Sequence, residues 1–143
     1  MAFAGYLIKL KKISQNDSDE ELPLEYMAVD SYDATPNQRM EVKANRAVTG
    51  KLVRNNVAHT ATKIEFETPP CTNREAVALN TLLQAHFTNT LERAISIEYY
   101  DNETDSYKTG DFYMPDTQYK ISRIDNVANI IYYDKIRYAF IEY

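Results

Sequence analysis

Apolar and polar residues alternate with a period of two along most of this chain, and that period predicts strands. Within residues 60–68, Thr62, Ile64 and Phe66 interleave with Lys63, Glu65 and Glu67, so one face is apolar and the other charged. Residues 3–13 read as a strand as well, with Tyr6, Ile8 and Leu10 on one parity and Leu7, Lys9 and Lys11 on the other. The last third of the chain predicts consecutive strands at 94–100, 107–114, 118–124, 130–133 and 136–143. In the final one, Ile136, Tyr138 and Phe140 alternate with Arg137, Ala139 and Ile141. Both faces are largely apolar, which predicts a strand covered on two sides. One more strand is expected over 22–35, held to an edge by Pro23, which cannot donate to a ladder. The Thr35-Pro36-Asn37 turn signal ends it.

One segment changes period. Ala76, Leu79, Leu83 and Phe87 recur at i, i+3, i+7 and i+11, with Leu82 and His86 beside that stripe, and this predicts a single amphipathic helix over about 73–89. Thr72 followed by Glu75 forms a capping box, and Pro69-Pro70 stops the preceding strand because neither residue can donate a ladder bond. The fold class that follows is mainly β with one α-helix: a single domain over 1–143, a β-sandwich or barrel of about seven to nine mostly antiparallel strands with one packed helix.

Two stretches lack any period. Residues 14–21 are acidic and predict an exposed hairpin-like loop carrying Asp17, Asp19, Glu20 and Glu21. Residues 36–58 carry Arg39, Lys43, Arg46, Lys51 and Arg54 against the single acid Glu41. They read either as a long loop or as an extended hairpin with Gly50 near its tip. Opposite patches on one subunit are what a head-to-tail ring needs. The basic stretch is therefore expected to be an inter-subunit arm anchored by Met40, Val42, Leu52 and Val53, with the acidic loop as its partner on the neighbouring copy. A flexible surface hairpin is the competing reading.

Charge and composition narrow the function classes. The chain of 143 residues has 16 basic against 21 acidic side chains, net −5, which argues against a surface that grips nucleic acid or anionic lipid throughout. A single cysteine, Cys71, excludes an intrachain disulfide framework and a cysteine-built zinc site. It follows two prolines just before the helix and reads as a half-buried structural thiol. No apolar run approaches the roughly 18 residues of a membrane span, and the start MAFAGYLIKLKK lacks the pattern of a signal peptide. Three glycines leave no room for a phosphate-cradling loop. His59 and His86 have no ligand-spaced partner. Asp101, Glu103 and Asp105 begin like a calcium loop, but Ser106 and Phe112 stand where that loop needs Gly and Glu, so a solvated hairpin turn is expected there. No catalytic, cofactor-binding or metal residue is predicted, and the chain does not read as an enzyme. Twelve tyrosines, nine of them from Tyr99 onward, suit strands and interfaces.

The runs HTATKIEFETPPCTNREAVALNTLL, LERAISIEYYDNETDSYKTGDFYMPD and IIYYDKIRYAFIEY resemble a family of small tail proteins in phages and prophages of Gram-positive bacteria. The strongest parts are Tyr-Lys-Thr-Gly-Asp-Phe-Tyr-Met-Pro-Asp at 107–116 and the terminal Ala-Phe-Ile-Glu-Tyr. That resemblance implies a tail-tube-like β-sandwich with one helix, an analogy at the level of the fold. It also implies a virion building block without catalytic residues, at the tail tube or its distal baseplate end. The expected partners are copies of itself in a hexameric ring, other phage tail proteins, and genome DNA that passes through the lumen without specific binding; no membrane is involved. The expected location is the virion tail, after assembly in the cytoplasm of the bacterial host. An alternative from another class is a monomeric carbohydrate-binding module that uses a tyrosine-rich face. A small β-barrel hydrolase or metal enzyme is the third reading.

Overall fold

The structure is a computed structural model that describes residues 3–15, 17–39, 41–56 and 60–143. Its strands are β1 (Ile8–Leu10), β2 (Glu20–Glu21), β3 (Asp33–Gln38), β4 (Glu41–Arg46), β5 (Leu52–Asn56), β6 (Ala61–Glu67) and β7 (Cys71–Thr72), followed by helix α1 (Asn73–Gln84). After the helix come β8 (Phe87–Asn89), β9 (Ala94–Asp101), β10 (Ser106–Tyr113), β11 (Ile121–Asp125), β12 (Ile130–Tyr133) and β13 (Arg137–Glu142). The protein is mainly β with a single helix, and its strands pair antiparallel. The strands the sequence pattern does not show are β2, β7 and β8, each only two or three residues long.

The large sheet runs β2-β1-β9-β10-β13-β6-β3, with β8 attached to β9. It is open, and no barrel closes among the described residues. Its inner face is the apolar parity of each strand: Ile8 and Leu10, Ile64 and Phe66, Ile95, Ile97 and Tyr99, Phe112, then Tyr138 and Phe140 are all buried. Ala76, Leu79 and Leu83 of α1 close over that face and join the same apolar cluster. The small sheet β11-β12-β7 lies beside the helix. Tyr133 and Cys71 pack from it onto the cluster. Asn80 couples the layers, accepting a hydrogen bond from Tyr138 Oη at 2.9 Å and donating to Tyr119 Oη at 2.7 Å.

The capping box forms as its spacing requires. Glu75 N–H donates to Thr72 Oγ1 at 3.4 Å and Thr72 N–H donates to Glu75 Oε1 at 3.2 Å. The helix is shorter than its apolar stripe, ending at Gln84 rather than near residue 89. His86 N–H donates to Leu83 O at 3.1 Å and tightens the last turn. Phe87 then pairs with Ile95 as the first residue of β8. The buried Phe87 therefore keeps its inward direction from a strand, because ladder bonds to β9 replace another helical turn.

Two other expectations change. Gly5, at φ 97°, breaks the first segment, so only Ile8–Leu10 of residues 3–13 is strand. Residues 22–35 do not form one strand. Pro23 leads into a 3-10 turn at Leu24–Tyr26, a second follows at Val29–Ser31, and β3 begins only at Asp33. The Thr35-Pro36-Asn37 signal falls inside β3, where the register slips between Thr35 and Gln38 and Asn37 adopts φ 53°. An edge strand tolerates proline and a bulge in a way that a central one does not. The basic stretch contains a hairpin, β4 against β5, with Gly50 at φ 88° in the turn.

Leu83 is 1% exposed in the centre of the apolar cluster. Leu83→Ala is expected to cost about 2–5 kcal/mol of unfolding free energy in urea titrations. A loss below about 0.5 kcal/mol, as at a surface position, would contradict the packing described.

Candidate functional site

The two edges of the large sheet differ in charge and in readiness to pair. One edge is β2, Glu20–Glu21, whose partner is β1 with Lys9 opposite Glu21. The preceding turn is held by its own side chains. Asp19 accepts from Lys12 N–H at 2.8 Å and from Lys11 Nζ at 2.9 Å, which together hold its carboxyl below the usual carboxylate range. Asp17 accepts from Ser14 Oγ at 2.9 Å. Glu20 Oε1 lies 3.3 Å from Nε2 of the buried His86, whose Nδ1 donates to Lys11 O at 2.9 Å. Of the predicted acidic partner residues, Asp19 is thus neutralised within its own loop. Asp17, Glu20 and Glu21 keep the edge negative.

The other edge is β3, which carries Pro36 and the bulge. The chain leaves it into the β4–β5 hairpin, whose strands pair only with each other among the described residues. Ala47 N–H donates to Lys51 O at 2.7 Å and Gly50 N–H to Ala47 O at 2.8 Å, closing the turn. Arg46 donates to Gly50 O at 3.0 Å, and Arg39 to Asn37 O at 3.3 Å. Residues 45–52 are all exposed; Val48 is fully so and Leu52 is 44% exposed. Val42, Lys43, Val53 and Arg54 lie on the two strands, while Met40 and His59 lie outside the described residues. The structure thus places the predicted arm and the predicted acidic partner at opposite ends of one seven-strand path.

The tyrosines form a different kind of site. On the outer face of β9 and β10, Tyr6 stacks on Tyr107 at 4.5 Å between ring centroids, Tyr100 meets Tyr107 edge-on, and Phe3 meets Tyr100. Their hydroxyls are already used. Tyr6 donates to Glu98, Tyr107 to the Tyr6 carbonyl at 2.7 Å, and Tyr100 to Asp105 at 2.6 Å. The Glu98 bond, then burial, pushes the Tyr6 hydroxyl well above its ordinary value. The cluster clips residues 3–7 to the sheet through one stacked and two edge-on ring contacts. Sequence reading placed the tyrosine cluster in the C-terminal sheet and missed Tyr6, whose partner Tyr107 lies 101 residues away.

The two stretches of strongest resemblance are neighbours in the sheet, as β10 and β13. Gly110 leaves space for the Glu142 carboxylate, because a Cβ there would lie 2.8 Å from Glu142 Oε2. Glu142 Oε1 in turn accepts from Thr62 N–H at 2.9 Å and ties in β6. Lys108 pairs at 2.7 Å with Asp101, whose side chain is 0% exposed. Asp101 also accepts from Glu103 N–H and Thr104 Oγ1, both at 3.0 Å. Burial raises its carboxyl, but the Lys108 bond and these two donors outweigh that and hold it below the usual range. The acidic triplet is therefore the anchor of the β9–β10 turn, with Asp101 buried at its base rather than solvated.

Among the described residues no group of three His, Cys, Asp or Glu side chains could hold a metal ion. Cys71 is half-buried, and burial pushes its thiol up despite a bond from Thr68. The cleft beside it, between Tyr26, Pro69 and Leu79, encloses about 40 Å³, room for a water or two. No helix among the described residues is long and apolar enough to cross a membrane.

These features define a β-rich scaffold with one helix, whose distinctive surfaces are sheet edges and hairpins. Over residues 1–143 the chain matches the model described as "Family of unknown function (DUF6711)", and it belongs to that family. No curated protein and no solved structure matches it.

Asp101→Asn is expected to destabilise the protein at neutral pH by about 1.5–3 kcal/mol, the range for hydrogen bonds to a charged group. Because the native carboxyl titrates below its unfolded value, its contribution is present above that value and is lost as pH falls through the native one. Urea titrations at a series of pH values should show wild type and variant converging below about pH 4. A gap independent of pH would show that the Asp101 charge contributes nothing.

Proposed function

We propose that this protein is a structural subunit of a phage or prophage tail, forming a ring with copies of itself at the tail tube or its distal end. The observation that carries the reading is the β4–β5 hairpin, which follows the edge strand β3 and has no third strand among the described residues. An isolated two-stranded hairpin is marginal in water. A chain that builds one with Val48 and Leu52 in solvent is completed by another chain. The β11–β12 hairpin likewise exposes Ile124 and Val127. The net charge of −5 suits a conduit that must not hold DNA, and the resemblance at 107–116 and 139–143 supplies the tail context.

Size-exclusion chromatography with light scattering, followed by negative-stain imaging, tests this. The expected result is one multiple of the 16.5 kDa chain mass, seen as rings of uniform diameter. A monomer at every concentration, alone and with the products of adjacent genes, would overturn it.

A further inference from the structure

Resting on that self-assembly, we infer where the hairpin lands: the β4–β5 hairpin of one copy adds as strands to the free edge of β2 on the next copy. The hairpin needs a third strand, and the large sheet offers two ends. The β3 end is closed to strand addition, because Pro36 has no N–H and the bulge at Thr35–Gln38 spoils the spacing of the remaining donors. The β2 end is open on its outer side among the described residues.

Charge selects the same end. The exposed tip over residues 45–52 contains Arg46 and Lys51 and no acid. Residues 17–21 hold Asp17, Asp19, Glu20 and Glu21, of which Asp19 is paired with Lys11. Cross-strand pairs of opposite charge contribute roughly 0.2–1 kcal/mol each, and the same arrangement on like-charged edges would repel. The connection between β1 and β2 also carries an exposed apolar side chain, Ile13 at 49%, as a partner for Val48 or Leu52.

Within one copy the contact is not made, since β4 and β5 pair only with each other among the described residues. The joint is therefore heterologous, with donor and acceptor on different surfaces of each subunit, and such joints close into rings when their rotation permits.

The test uses the full chain in two charge-reversed forms. Arg46→Glu with Lys51→Glu disables the donor and leaves the acceptor edge. Asp17→Lys with Glu21→Lys disables the acceptor and leaves the hairpin. If the second form does not reach the wild-type melting profile, Ile13→Asp takes its place. Each form alone is expected to run as a monomer, and the equimolar mixture of the two charge-reversed forms at the wild-type mass, because the reversed hairpin of the first also meets the reversed edge of the second; with Ile13→Asp in its place the mixture stops at a one-to-one dimer. All four substitutions in one chain should restore the wild-type mass. Variants that assemble as wild type does, or a mixture that stays monomeric, would overturn the hairpin-to-β2 joint while leaving self-assembly standing. A wild type that is itself monomeric throughout would remove the reading on which this inference rests, and the joint with it.

Discussion

One twelve-residue helix has to cover the inner face of a sheet far wider than itself, and much of the architecture follows from that mismatch. At about 1.5 Å per residue, α1 is roughly 18 Å long, against roughly 29 Å across seven strands. Ala76, Leu79 and Leu83 join Phe66, Ile97, Phe112 and Phe140 in one buried cluster. The remaining inner face is covered by other means. The 3-10 turns after Pro23 leave Leu22 and Met27 buried, and the small sheet contributes Tyr133 and Cys71. The outermost strands, β2 and β3, receive no such cover and stay at the surface.

Polar groups are placed where the apolar layer ends. At the sheet end near β3, Thr62, Tyr99 and Glu142 satisfy one another and the backbone of Asn37. At the β9–β10 turn the buried Asp101 is matched by Lys108 and two further donors. At the β2 end the buried His86 links the Lys11 carbonyl to Glu20. Each network stabilises a boundary of the core at which desolvated groups would otherwise be left unpaired. Gly110 and Glu142 also fit each other's shape, since a Cβ at position 110 would meet the Glu142 carboxylate.

These boundaries bear directly on assembly. A sheet edge is a row of unpaired donors and acceptors, and proteins that stay monomeric blunt such edges. This chain blunts β3 with Pro36 and a bulge, and β2 by its two-residue length and acidic side chains, which leave that edge open only to a basic partner. A heterologous contact requires this asymmetry, since two open edges of similar charge would allow pairing in either sense.

The amino-acid sequence alone determined the class, the helix and most of the strands. Period-two alternation at 61–67 and 94–101 and the Thr72–Glu75 spacing are local signals, set by side-chain direction and by backbone donors within one turn. The opposite charges of 14–21 and 36–58 were also legible, being matters of composition. What only the tertiary structure decided were choices between local preference and a distant partner. Phe87 left the helix to pair with Ile95, residues 24–31 turned rather than extended, and Asp19 gave its charge to Lys11. Tyr6 found Tyr107 across 101 residues. Sheet order was invisible for the same reason. That β2 and β3 are the two ends of one path depends on pairings between strands far apart in the chain, and no local period encodes those pairings.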